Sequence, residues 1–148
     1  MWASVIAVLG TLLGSVTAYL LQQRTIRTDR AEAQRREERR DRITAVTALA
    51  AAIADHRRAM WVREDLRLSG ADDADYQAAR LVSHGTRSAL TAPLTTLAIL
   101  APDLAGAAQE AADATYALRG AQSRALLDAR RAEAIESADR LIRAAAGS

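Results

Sequence analysis

Apolar positions along the C-terminal two thirds of this chain recur with the spacing of amphipathic helices. The first such stripe faces a predicted core with Ile43, Val46, Ala50, Ile53 and Met60, and Leu49 lies beside it. Residues spaced three and four apart share one helix face, so we expect a helix here. It should end near Leu68, because Ser69-Gly70 is a turn signal and Asp72 or Asp73 can cap the next helix.

Three further helical segments follow. The second helix should run from about Asp73 to the high eighties, and Pro93 marks either a kink or a new start. A third begins at 101–103 and stops near Gly120, and a last one covers about 123–145. Predicted core positions are Leu94, Leu97, Ile99, Leu100, Leu104, Ala108, Ala111, Thr115, Leu118, Leu126, Leu127, Ala134, Ile135, Ala138, Leu141 and Ile142. The pattern therefore predicts an antiparallel four-helix bundle over residues 43–148.

The composition supports an all-α fold class and excludes the chemistry that depends on cysteine. Half of the residues are hydrophobic, but only 3% are aromatic and Phe is absent. Sandwiches and barrels use many aromatic and β-branched side chains, so the composition disfavours an all-β fold. With no Cys, disulfides and thiolate catalysis are excluded too.

The N-terminal segment has a different pattern from the rest of the chain. Residues 2–21 carry no charged side chain, and as a helix they would extend about 30 Å, the thickness of a bilayer core. A secretory signal peptide would need positive charge before the apolar stretch, whereas here the Arg residues follow it. A buried core helix would normally have a polar face. We therefore predict a transmembrane helix over residues 2–21.

The positions of the Arg residues predict the orientation of this span. Residues 24–42 carry eight Arg and five acids, and positive charge is retained on the cytoplasmic side. We expect the N-terminus outside, the bundle in the cytoplasm, and the protein in the inner (plasma) membrane. Arg24, Arg27 and Arg30 are then placed to contact lipid phosphate groups.

A row of small residues within the span predicts self-association. Gly10, Gly14 and Ala18 lie four apart, so they share one helix face that another backbone can approach closely. Gly and Ala are also common in spanning helices for compositional reasons alone, and both interpretations stay open. If the small-residue row is an association face, we expect the protein to be a homo-oligomer.

Residues 22–42 form a charged connector with strong helix formers and no Gly or Pro. Glu32 with Arg36, and Glu38 with Arg42, have the favourable i,i+4 order. Apolar seam positions are missing, so we expect a solvated helical stalk that continues from the span. An alternative is a basic region that binds nucleic acid, but the interleaved acids would repel phosphate.

Two histidines and their Arg neighbours form the candidate functional cluster. His56 and His84 are each fourteen residues from the predicted hairpin turn near residue 70, so they could face one another. An anion or an acidic partner would suit such a cluster, while solvated polar positions are the alternative. The candidate partner surface consists of His56, Arg57, Arg58, Trp61, His84 and Arg87.

No motif points to catalysis, a cofactor or a metal. The cluster of Asp72, Asp73 and Asp75 lacks the loop pattern of a calcium site and fits helix capping, with Arg63 and Arg67 as expected partners. We therefore expect no enzyme, no catalytic residue, no cofactor and no metal ligand.

Several whole segments resemble one known family. They are SVIAVLGTLLGSV at Ser4 to Val16, the Arg-rich stretch, DRITAVTALAAAIADHRRAMW at Asp41 to Trp61, and SHGTRSALTAPL at Ser83 to Leu94. Together they are similar to the KilB-type proteins of actinomycete conjugative plasmids. The resemblance implies a membrane-anchored component of a plasmid transfer or intermycelial spread assembly, with protein partners in that assembly.

These observations favour a single-pass membrane protein that self-associates and presents a helical bundle to partners. The alternative from another class is a membrane-tethered nucleic-acid-binding protein, and a third is an enzyme or ligand sensor that uses His56 and His84. Retention on DNA that depends on salt would favour the second.

Overall fold

A computed structural model describes the backbone of residues 2–147 and the side chains of residues 29–147. Those residues are helical with no β-strand, which confirms the all-α prediction. The helices are α1 (Trp2–Ser69), α2 (Asp73–Ala89), α3 (Thr91–Leu100), α4 (Ala105–Tyr116) and α5 (Arg124–Ala146), with a 3-10 turn at Pro102–Leu104. The chain divides into two compact units, Met1–Arg40 and Asp41–Ser148.

The first unit contains the predicted span and most of the predicted stalk. Both lie within α1, so the helical nature of the stalk is confirmed. The side chains of residues 2–21, and with them the small-residue row and Arg24 and Arg27, lie outside the described residues. Over residues 29–147, no helix combines the length and apolar character that crossing a bilayer requires. In the stalk, Glu32 and Arg36 form the predicted ion pair at 3.2 Å.

The second unit is built around the C-terminal part of α1, which α2 follows as an antiparallel partner. The side chain of His56 contacts Thr86, and that of Arg63, about two helical turns further along α1, contacts Tyr76. The residue numbers of the contacting side chains thus increase along α1 while they decrease along α2, so the two helices are antiparallel. This is the predicted hairpin, closed by a turn at Gly70 with a φ of 67°.

The remaining helices continue the alternation of directions. Glu64 contacts Gly120 after α4, while Arg42 near the start of the unit contacts Asp103 before α4, so α4 runs parallel to α1. Arg124 at the start of α5 pairs with Asp65, and Asp128, one turn later in α5, accepts from Trp61, one turn earlier in α1, so α5 returns antiparallel to α1. With α2 and α3 as one interrupted rod, the four rods form the predicted antiparallel bundle.

Helix boundaries follow local chemistry that the sequence displays. The Asp72 side chain accepts a hydrogen bond from the Asp75 backbone N–H at 2.9 Å and caps α2. The Ser123 hydroxyl accepts from the Leu126 N–H at 3.2 Å and caps α5 in the same way. At Thr91 the chain starts α3 as a new helix, with Pro93 in the first turn where its missing N–H costs nothing.

The core is made of Leu, Ile and Ala side chains from all four rods. Its larger cluster contains Ala45, Val46, Leu49, Ile53, Leu90, Leu97, Ala101, Leu104, Ala108, Ala111, Ala138 and Leu141. A smaller cluster contains Met60, Leu118, Ala121, Leu127 and Ala134. Most predicted core positions are therefore confirmed, including every one predicted for α4 and its ends.

Five predicted core residues are exposed instead. They are Ile43, Ile99, Leu100, Ile135 and Ile142. For the four residues on α3 and α5, the reason is that these helices touch the bundle along narrow stripes. Ile99, at 73% exposure, lies off the stripe that Leu97 and Ala101 follow. Because Ala side chains are small, Ala-rich helices pack close together, and a narrow stripe of buried residues is enough to hold them.

Two predicted ion pairs are also replaced. Arg63 and Arg67 do not pair with the aspartates of the turn but lie against Glu64, at 3.7 and 2.7 Å. Arg42 pairs with Asp103 at 2.6 Å rather than with Glu38. Arg63 and Arg67 thus take a carboxylate of their own helix, whereas Arg42 takes one that lies 61 residues later in the chain.

Candidate interaction surface

The His56 side chain lies inside the bundle and is 1% exposed. Its Nδ1 lies 2.9 Å from the Thr86 hydroxyl oxygen, which also lies 3.2 Å from the carbonyl oxygens of Val82 and Ser83. Burial, and secondarily the positive charge of Arg87, lowers the pKa of His56 to about 4, so the ring is neutral near pH 7.

His56 and His84 line one small cavity, which places the two histidines together as the spacing predicted. The cavity has a volume of about 30 Å³, enough for a water molecule. The Tyr116 ring meets the His56 ring edge-on at 5.6 Å, and the Arg87 guanidinium lies 4.5 Å from the centre of the Tyr116 ring. Because His56 is buried, it is not part of a surface, and the predicted partner surface keeps only its other five residues.

Arg57, Arg58 and Trp61 lie apart from this cavity, in a cleft between α1 and α5. The cleft has a volume of about 120 Å³, and Arg131 of α5 forms part of its wall. The guanidinium of Arg131 lies 5.1 Å from the centre of the Trp61 ring. The predicted cluster is thus divided between two places, and Arg131 is a member that sequence reasoning missed.

Trp61 is held in place by polar partners from α5. Its indole N–H donates to Asp128 at 3.1 Å, and the Arg124 guanidinium lies 4.6 Å from the ring centre. Arg124 also pairs with Asp65 and lies 3.6 Å from Asp128. Such a ring is fixed in orientation, because both its N–H and its π-electrons are engaged.

A buried charge network close by was not predicted. The Glu64 carboxylate is 1% exposed and accepts hydrogen bonds from Arg67 at 2.7 Å and from the Gly120 N–H at 3.2 Å. Arg67 also donates to the carbonyl of Ala121. The i,i+3 spacing of Glu64 and Arg67 is visible in the sequence, but their contact with the end of α4 is not.

Two shallow apolar grooves lie between α1 and its neighbours, one beside α2 and the other beside α3. One, of about 340 Å³, is lined by Asp55, Arg58, Ala59, Val62, Ala79, Val82 and Thr86. The other, of about 310 Å³, is lined by Asp41, Thr44, Ala45, Ala48, Ala92, Pro93, Thr96 and Leu100. Leu81, Val82 and Ile99 are large apolar side chains left exposed on these two helices. Apolar surface of this kind is typical of sites where proteins meet.

Within residues 29–147, no cluster of three or more His, Asp or Glu side chains could hold a metal ion.

Comparison with known proteins connects this arrangement to one family. The family described as KilB plasmid transfer protein matches residues 43–148, which is the whole bundle. Protein KilB of Streptomyces lividans is 56% identical over 146 residues, which cover 99% of this chain and 97% of that protein. No solved structure matches the chain. The resemblance seen in the sequence is therefore confirmed, and this chain belongs to the KilB family.

Proposed function

We propose that this protein is a membrane-anchored, self-associating interaction protein that acts in plasmid transfer or intermycelial spread. Residues 2–21 are its single span, the bundle lies in the cytoplasm, and the bundle presents its surface to protein partners of a transfer assembly. The observation that carries the membrane anchor is the charge-free segment followed at once by eight Arg residues over 24–42. Membership of a family described as plasmid transfer proteins supports the cellular role.

The surface of the bundle supports an interaction role over catalysis. The exposed apolar side chains Val82 and Leu100 line open grooves, and the cavity that contains both histidines has room for no substrate. His56 is neutral near pH 7 and hydrogen-bonded to Thr86, so its ring serves packing. The expectation that the protein is not an enzyme is part of the proposal.

The cellular role is tested by complementation in a strain that lacks the Streptomyces lividans relative. We expect the full chain to restore plasmid transfer, and a chain without residues 2–21 to be made but to leave transfer defective. Restoration by the truncated chain would contradict a membrane-anchored role. Protease added to spheroplasts tests the orientation, since a cytoplasmic bundle should be spared.

Self-association is tested by crosslinking in membranes. The pair Gly10→Ile and Gly14→Ile fills the small-residue face and should reduce the yield of crosslinked dimer at least several-fold. The pair Leu12→Ile and Val16→Ile changes the roughly opposite helix face and is the matched control. An unchanged yield with the glycine variants would remove this face as an interface.

Nucleic-acid binding remains the competing proposal, and retention on DNA tests it directly. The full chain in detergent should not be retained on DNA even at low salt, since acids such as Glu32, paired with Arg36, are interleaved with the Arg residues. Strong retention that falls steeply with salt would favour the competing proposal.

A further inference from the structure

The cleft between α1 and α5 is surrounded by positive charge. Arg57 and Arg58 of α1 and Arg131 of α5 line it together with Trp61 and Ala54. Within residues 29–147, none of these three Arg side chains has a carboxylate oxygen within 4 Å. The cleft therefore concentrates three guanidinium groups without an ion-pair partner.

Two acids close to the cleft along the same helices are already engaged. Asp65 pairs with Arg124, and Asp128 accepts the Trp61 N–H at 3.1 Å and lies 3.6 Å from Arg124. The charge of Asp139 stabilises the charged form of Arg57, but the two side chains form no direct ion pair. The neighbouring carboxylates thus compensate the cleft only in part.

The charges of Arg131 and Arg58 both act on the Arg57 guanidinium. The pKa of Arg57 is lowered, first by burial, then by the charge of Arg131 and, more weakly, by that of Arg58, while Asp139 opposes the shift. Like charges brought together beside a partly buried group repel, and a bound anion relieves that repulsion. Geometry and charge thus point in one direction, toward an anionic ligand.

We propose that this cleft binds a compact oxyanion of the phosphate class, held by Arg57, Arg58 and Arg131. Guanidinium groups bind phosphate oxygens through paired hydrogen bonds, and three of them converge here from two helices. The volume of about 120 Å³ lies well below the roughly 300 Å³ at which pockets for larger organic ligands begin. Inorganic phosphate, a diphosphate or the phosphoryl group of a small metabolite has the matching size.

The surroundings favour a small ligand over a long polyanion. Asp128 and Asp139 of α5 lie near the cleft, and their charges would repel the further phosphates of a nucleic acid. The Trp61 ring is also covered by Arg124 and Arg131, at 4.6 and 5.1 Å, so it offers no free platform for a base. A single compact anion avoids both penalties.

Trp61 provides a direct readout of binding. In the full chain with Trp2→Phe, kept in mild detergent, Trp61 is the one remaining tryptophan of the sequence. A ligand that draws Arg131 away from the ring should change the indole fluorescence. We expect saturable changes when inorganic phosphate or pyrophosphate is titrated at constant ionic strength, with chloride giving none.

Variants identify the groups responsible. Arg57→Gln and Arg131→Gln should each weaken phosphate or pyrophosphate binding at least tenfold, because each removes a charged donor from the cleft. Arg80→Gln removes the same charge from the exposed face of α2 and should leave the affinity unchanged. Helical circular dichroism of each variant establishes that it is folded, and isothermal titration calorimetry measures its affinity independently of Trp61.

Three results would overturn the proposal. They are the absence of a saturable response to both phosphate and pyrophosphate, equal affinity in the Arg131→Gln and unsubstituted chains, and binding of a double-stranded oligonucleotide with no binding of either small anion. The last result would assign the cleft to nucleic acid instead.

Discussion

Glu64 of α1 accepts a hydrogen bond at 3.2 Å from the backbone N–H of Gly120, which lies 56 residues later at the end of α4. The same carboxylate oxygen accepts from Arg67 at 2.7 Å. One buried charge thus joins two rods of the bundle and fixes the turn that leads to α5. Removing one partner from such a network leaves buried groups without compensation.

Glu64→Ala should lower the free energy of unfolding by about 3 kcal/mol, because it leaves Arg67 and the Gly120 N–H without their buried acceptor. Glu32→Ala, which breaks an exposed pair with Arg36 in the stalk, should cost no more than about 0.5 kcal/mol. Urea unfolding of the full chain in detergent, followed by circular dichroism, measures both. Equal effects of the two substitutions would show that the Glu64 network does not stabilise the bundle.

Gly120 has a φ of 71°, which side chains with a Cβ adopt at a cost. Gly120→Ala should therefore destabilise the protein by about 1 kcal/mol, although an added Cβ would meet no atom within 4 Å. Gly106→Ala is the matched variant inside α4, where the space is equally open, and should stabilise by about 0.5 to 1 kcal/mol. The two thermal midpoints should move in opposite directions, and a shared direction would contradict the backbone argument.

Stability should decline in acid through His56. Its pKa is lowered from 6.5 to about 4 in the folded protein, so between these values the unfolded chain binds more protons than the folded one. The stabilisation is complete above pH 6.5 and is lost as the pH falls toward 4, by up to about 3 kcal/mol.

The variant His56→Gln should remove this part of the pH dependence. The free energy of unfolding, measured from pH 7 to pH 4.5, should fall less steeply in His56→Gln than in the unsubstituted chain. The control is His84→Gln, which replaces the exposed histidine lining the same cavity and should keep the steeper fall. If His56→Gln retains the full slope, the buried ring is not its source.

Leu97 and Ile99 test which face of α3 the bundle uses. Leu97 is fully buried and Ile99 is exposed, so Leu97→Ala should cost about 2 to 4 kcal/mol of unfolding free energy and Ile99→Ala less than about 0.5 kcal/mol. Chemical denaturation of both variants makes the comparison. A costly Ile99→Ala would show that this apolar side chain is covered in the assembled protein.

Local signals predicted the helices well because capping and turn chemistry act over a few residues. The caps at Asp72 and Ser123 and the turn at Gly70 were visible as residue types at fixed offsets. Periodicity also predicted the buried face of α4, which is an Ala-rich stripe that packs against the core. Exposed positions such as Ile99 were misassigned, because hydropathy alone does not tell how wide a contact stripe is.

The candidate site was predicted in part for a related reason. The hairpin spacing brought His56 and His84 to one cavity, since two antiparallel helices with a known turn have a defined register. It could not show that His56 is buried, or that Arg131 joins Arg57 at the α5 face. Those facts depend on how the third and fourth rods rotate about their axes.

By itself, the sequence determined that this protein is all-α, where its helices begin and end, and which family it belongs to, because these properties reside in short-range patterns and whole-segment similarity. Tertiary structure alone decided which charges meet. Arg42 pairs with Asp103 instead of Glu38, and Arg124 of α5 pairs with Asp65 of α1. Helix packing selects such partners, since the rotation of each rod, set by close contact of Ala-rich faces, fixes which side chains come within bonding distance.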